Sequence, residues 1–149
     1  MNITYKSIKD LPNEQLYKLF ISVGWADEST TTQAMIDNFN KPFINSTIVI
    51  SAWDNDLLVG CVRVFSDKMF RSVIYDLAVL PEYQGKGIGT QAIREIIKND
   101  LPYMYTNKIL LRVRSENERA IKCYNKVGFI ETQRYEKDGL NVIEMMYEV

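Results

Sequence analysis

The sixteen residues from Tyr75 to Thr90, Tyr-Asp-Leu-Ala-Val-Leu-Pro-Glu-Tyr-Gln-Gly-Lys-Gly-Ile-Gly-Thr, constrain this chain more than any other stretch. An apolar strand pattern runs into three alternate glycines, Gly85, Gly87 and Gly89, with Lys86 between the first two, and a helical pattern follows. Glycines at spacing two let a backbone approach a ligand with no Cβ atoms in the way. A helix N-terminus adds unpaired N–H groups and the positive end of the helix dipole. The stretch reads as a cradle for a diphosphate.

Spacing decides among the phosphate loops. The chain has no Gly-x4-Gly-Lys-[Ser/Thr] sequence. A dinucleotide fingerprint needs Gly-x-Gly-x-x-Gly and an acidic residue ending the next strand. Here the third glycine arrives one residue early, and the next strand runs into Arg114 and Ser115. The pattern that fits is [Gln/Arg]-x-x-Gly-x-[Gly/Ala], met by Gln84, Gly87 and Gly89.

In chain order, Ile3, Tyr5 and Ile8 mark a short first strand or an edge. Asp10-Leu-Pro12 opens an amphipathic helix carrying Leu16, Leu19, Phe20 and Val23, which Gly24 ends. A second helix, with Ala34, Met35, Asn38 and Phe39 on one side, is expected to run to Pro42. Ser46 to Trp53 and Leu57 to Phe65 form a hairpin, and Met69 to Leu80 a long third strand. The helix after the glycines spans about Gly87 to Lys98. Ile109 to Val113 is a buried strand, and Ser115-Glu-Asn-Glu118 matches a capping box for the next helix, which stops at Gly128. Phe129 to Tyr135 and Asn141 to Tyr147 are strands joined through Asp138-Gly139. The order β-α-α-β-β-β-α-β-α-β-β predicts one α/β (α+β) domain over residues 1–149, with a mostly antiparallel sheet and one central βαβ crossover.

At Leu77 to Gly89 the chain resembles the GNAT superfamily of acyl-CoA-dependent N-acyltransferases. Some twenty-five residues on, Asn117-Glu-Arg-Ala-Ile-Lys-Cys-Tyr-Asn-Lys-Val-Gly-Phe129 is similar to that family's second motif, Asn-x-x-Ala-x-x-x-Tyr-x-x-x-Gly-Phe. The likeness covers Leu57 to Phe129 well, the last hairpin loosely and the first helices by order alone. It implies the family's fold, a twisted mixed sheet whose two central parallel strands splay apart, with acetyl-CoA as co-substrate and no metal.

The resemblance also assigns residues. Backbone groups of Leu77, Ala78 and Val79 would pair with the pantetheine arm, one N–H holding the thioester carbonyl and its oxyanion. Gln84, Gly85, Lys86, Gly87, Ile88, Gly89 and Thr90 would enclose the diphosphate. Lys86 is equally well a solvated surface lysine. Asn117 would contact the pantetheine arm beside Ala120. Tyr124, seven residues on and on the same helix face, would protonate the departing thiolate, although it also fits a core stripe. Cys123 lies ~100° round the helix and reads as packing.

The amine must lose a proton before it attacks, since an alkylammonium titrates near pH ~10. Some relatives carry a Glu upstream of the glycine loop, and the matching residue here is Val73. Asp76, Tyr75, Glu82 or a chain of waters stay open for the base, with Asp76 the candidate catalytic residue because it precedes the carbonyl-binding segment.

Composition removes other chemistry. Histidine is absent, which excludes Ser-His-Asp and Cys-His nucleophilic machinery and most zinc sites. A net charge of −1 offers no global field for nucleic acid. Two cysteines without Cys-x-x-Cys spacing, and no signal-type or membrane-spanning apolar run, lead us to expect a cytoplasmic protein. The expected function is acetyl transfer to a primary amine of a small molecule or peptide. The alternative is a non-catalytic acyl-CoA-binding or sensing module. Trp25, Asp27, Glu28 and Asp37 frame either an acidic, aromatic pocket for a cationic amine or an ordinary solvated loop. A homodimer with exchanged C-terminal strands is left open.

Overall fold

The computed structural model describes residues 1–100 and 108–148, with side chains described to Lys98 and from Lys108. Seven strands form one sheet in the order β1-β2-β3-β4-β5-β7-β6. They are β1 (Ile3–Lys6), β2 (Ile48–Asp54), β3 (Leu57–Ser66), β4 (Ser72–Val79), β5 (Lys108–Arg114), β6 (Ile130–Lys137) and β7 (Leu140–Glu148). The β4–β5 pair is parallel, and the other neighbours are antiparallel.

Strand alternation sorts the sheet's two faces. On one face Ile50, Val62, Ile74, Leu111 and Ile143 pack against α4 (Ile88–Glu95) and α5 (Glu118–Val127). On the other, Val49, Cys61 and Ala78 pack against α1 (Asn13–Ser22), through Leu16 and Leu19, and against Phe43. Among the described residues these N-terminal segments cover β2, β3 and β4 and make no comparable contact with β5, β6 or β7.

The predicted second helix is two separate turns, α2 (Gln33–Ile36) and α3 (Lys41–Ile44). Thr32 caps α2 by accepting the Met35 N–H at 3.2 Å. Pro42 falls in the first turn of α3, where its missing N–H costs nothing, so the proline starts a helix instead of ending one. The third strand begins at Ser72, not Met69, because Asp67 Oδ1 accepts the N–H groups of Met69, Phe70 and Arg71 and closes a turn there. After Glu95 the helix continues as a wider turn from Ile96 to Asp100.

The predicted capping box also shifts. Asn117, not Ser115, caps α5, its Oδ1 accepting the Ala120 N–H at 3.3 Å. The Ser115 N–H is held by the Asn141 carbonyl, which keeps Ser115 on the sheet. The last hairpin turns on Asp138 and Gly139, both at positive φ (54° and 78°), which matches the twist of its strands.

Candidate active site

The site begins where the sheet comes apart. β4 and β5 pair only at Ser72↔Ile109 and Val73↔Leu110, and beyond Val73 no further pairs join them. A bulge makes the break. Opposite Cys61 to Arg63, β4 contributes Tyr75, Asp76, Leu77 and Ala78, and Asp76 takes φ 52°. The extra residue bends β4 toward β3 and away from β5. Since the Leu80 N–H bonds the Val59 carbonyl, alternation turns the peptide groups of Val79 and Leu77 toward the gap.

At the gap's end lies the glycine loop. Gly85 and Gly87 sit at φ 77° and 82°, and no atom lies within 4 Å of where a Cβ on either would stand. The loop is therefore an open concavity, and Gly87 starts α4 from a left-handed conformation that favours glycine. The first helical bond runs from the Gln91 N–H to the Gly87 carbonyl at 3.0 Å. The N–H groups of Ile88, Gly89 and Thr90 then have no helical acceptor. A diphosphate fits this donor set, and Lys86 stands exposed beside it.

Several expected residues are turned to other tasks. Gln84 donates its Nε2 to the Val79 carbonyl at 2.9 Å and accepts from Arg119 Nη1 at 3.0 Å. Its side chain ties β4, the loop and α5 together. The Thr90 hydroxyl is buried 3.3 Å from Cys123 Sγ, so Thr90 offers the loop its backbone N–H and not its hydroxyl. Gly89 is a packing glycine: a Cβ there would lie 3.4 Å from Cys123 Sγ and 3.5 Å from Leu77 Cδ2. The side chain of Ile88 is buried with Ala52 and Val59.

These contacts press α5 onto the first turn of α4. Tyr124, one residue beyond Cys123, is buried against Phe129 at 5.9 Å between ring centroids. Its hydroxyl has no hydrogen-bond partner among the described residues. Burial, reinforced by Cys123, raises its pKa well above the ordinary phenol value, so the group is a protonated donor at neutral pH. Burial likewise raises the Cys123 thiol, partly offset by Thr90, and disfavours a thiolate nucleophile.

Asp76 sits on the opposite face, its Oδ2 2.5 Å from Arg63 Nε. The Arg63 guanidinium also lies over the rings of Phe43, Phe65 and Tyr75. Asp76 borders a cavity of about 310 Å³ walled by Phe20, Met35, Phe39, Pro42 and Phe43. Asp76 is thereby tied to β3 through Arg63 at the edge of this cavity. Of the two alternatives for the segment around Trp25, the acidic residues Asp27 and Asp37 are engaged locally, as in an ordinary loop. Asp27 accepts from Ser29, Asp37 accepts from Gln33, and Trp25 packs edge-on against Phe20 at 5.3 Å.

The family model described as Acetyltransferase (GNAT) family matches residues 6–129. The chain belongs to the GNAT family. An uncharacterized N-acetyltransferase, ycf52, of Gracilaria tenuistipitata var. liui is 31% identical over 116 residues, 77% of this chain and 60% of that protein. The mycothiol acetyltransferase of Corynebacterium efficiens is 30% identical over 114 residues, 75% of this chain and 36% of that protein. The chain thus spans about 60% of one of these curated relatives and about 36% of the other. Arabidopsis thaliana NAA60, solved in complex with acetyl-CoA, superposes with a TM-score of 0.74 over 99% of each chain at 18% identity, which establishes the common fold.

Two residues of this GNAT site escaped the sequence reading: Arg63, which holds Asp76, and Arg119, which holds Gln84. Arg119 lies inside the second motif two residues after Asn117, so its placement at the start of α5 was a usable signal. Arg63 had none, because its pairing with Asp76 depends on the β4 bulge.

Proposed function

We propose that this chain is an N-acetyltransferase that moves the acetyl group of acetyl-CoA directly to an amine within a ternary complex. One observation carries the reading. A gap between parallel strands, faced by peptide groups of Leu77 and Val79, ends at an open glycine loop whose Ile88, Gly89 and Thr90 N–H groups have no helical acceptor.

Acetyl-CoA brings an activated acyl thioester. Its diphosphate would rest on the N–H groups of Ile88, Gly89 and Thr90, with Lys86 adding charge. Its pantetheine arm would replace the missing β5 pairing along Leu77, Ala78 and Val79, past Asn117 and Ala120 at the start of α5. A gap-facing N–H there would hold the carbonyl oxygen and stabilise the oxyanion that forms when the amine adds. Collapse breaks the C–S bond, and Tyr124 would donate its hydrogen to the departing sulfur. Removing that sulfur's hydration raises the basicity of the thiolate, which suits a donor as weak as a buried phenol. The amine's proton leaves to water on the open face of the sheet, and a proton from solvent restores the Tyr124 phenol.

The test follows free thiol while acetyl-CoA is offered with a panel of amines. Thiol release that needs both substrates supports the proposal. Tight CoA binding with no release over the whole panel would make the chain an acyl-CoA-binding module instead.

A further inference from the structure

The other side of the gap carries its own chemistry. Ile109, Leu111 and Val113 of β5 are buried against α4 and α5, so alternation sends Arg112 and Arg114 to the opposite face. That is the face bearing Asp76, which α1, α2 and α3 leave bare beyond β4. Arg112 and Arg114 follow the last pair, Val73↔Leu110, by two and four residues, along the stretch where the bulge has bent β4 away.

The register extends this into a groove. Arg114 lies opposite Val142, which lies opposite Tyr135, and Lys137 follows two residues along β6. Together with Arg112 and Val113 they line an open cavity of about 550 Å³. Its charge is unbalanced. Glu144 pairs loosely with Arg112 at 3.6 Å and also accepts from Gln133 at 2.6 Å. Among the described residues no carboxylate pairs with Arg114 or Lys137.

Given that the chain is an acetyltransferase as proposed above, we propose that its acceptor amine also bears a carboxylate, which Arg112, Arg114 and Lys137 bind. Two guanidinium forks at strand spacing two, with an ammonium beside them, match an anion and repel a polycation. Tyr135 and Val142 give an apolar floor for the rest of the acceptor. The amine then reaches the thioester through the gap, beside the Leu77 peptide group, the Leu77 side chain itself lying on the other face with α4 and α5.

The experiment offers acetyl-CoA with amino acids and short acidic peptides, each against its carboxamide counterpart, and with spermidine as the polycation. We expect kcat/KM at least about tenfold higher for the carboxylate member of a pair. The amide has the more easily deprotonated amine, so reactivity alone would favour the opposite order. The double variant Arg112→Gln, Arg114→Gln should raise KM for the carboxylate acceptor about tenfold or more. It should leave the carboxamide reaction and the Kd for acetyl-CoA unchanged. Equal or better use of carboxamides or spermidine overturns the proposal, as does thiol release from no carboxylate-bearing amine while acetyl-CoA still binds. Loss at the earlier step is distinct: if acetyl-CoA itself does not bind, the acetyltransferase reading fails first.

Discussion

Arg119 donates to the side-chain oxygen of Gln84 at 3.0 Å, fastening the first turn of α5 to the glycine loop that opens α4. Gln84 passes the link on to the Val79 carbonyl. The loop therefore owes its position to two helices and a strand. Replacing Arg119 with Ala removes one charge-assisted bond, worth about 1.5 kcal/mol where partly exposed. We expect acetyl-CoA affinity to fall several-fold with kcat little changed, and calorimetry with steady-state kinetics separates the two. A kcat loss at unchanged affinity would contradict the positioning role.

Tyr124→Phe removes a buried hydroxyl that has no hydrogen-bond partner among the described residues. Deleting such a group does not orphan another, so Tm should hold or rise slightly. Turnover should fall about 100-fold, the usual scale for a lost acid catalyst, with little change in the Kd for acetyl-CoA. Because burial raises the phenol's pKa, the protonated, active form persists past the ordinary phenol range. Turnover should not decline through loss of this proton below pH ~10. Unchanged kcat would remove Tyr124 from the chemistry.

Cys123→Ala tests for a covalent route. The thiol is half-buried, disfavoured as thiolate and engaged with Thr90. Turnover should stay within a few-fold of the parent, and intact-mass measurement after mixing with acetyl-CoA alone should show no acetylated protein. A loss beyond about 100-fold together with a trapped acetyl adduct would mean a two-step mechanism.

Alkaline stability follows from two buried groups. Burial raises the pKa of both Cys61 and Tyr124, from ordinary values of 9.0 and 10.0. Above those values the unfolded chain releases protons that the folded chain keeps. The native state then binds more protons, so the unfolding free energy falls as pH rises, by up to about 1.4 kcal/mol per unit for each group. Their contribution is complete below pH ~8.5. Tm measured from pH 7 to 10.5 should drop from about pH 9 upward. In Cys61→Ala the drop should be shallower from about pH 9 upward, with Cys123 and Tyr124 still contributing, and identical profiles would contradict this account.

The glycine loop was legible in the sequence because its signal is local: glycines at spacing two are the backbone requirement itself. The helix carrying Asn117 and Tyr124 was legible for the same reason, through its apolar spacing and its end at Gly128. What failed depended on distant partners. Ser115 has the composition of a cap, yet Asn141 on another strand claims its N–H. Thr90 looked like an anion contact, and Cys123 on α5 took its hydroxyl. For Asp76 the sequence offered only its place before the carbonyl-binding segment and left its facing open. Its facing is set by the β4 bulge and by Arg63 on β3, thirteen residues earlier in the chain, and no local pattern announces either.

Calorimetric titration of acetyl-CoA into the protein and into its Gly87→Val variant tests the central claim most directly. A valine at φ 82° costs about 1–2 kcal/mol of stability and projects its side chain into the open concavity beside the Ile88, Gly89 and Thr90 N–H groups. We predict one binding site in the parent and an affinity at least about tenfold weaker in the folded variant. No binding to the parent, or equal affinity in both, would contradict a diphosphate held on this loop.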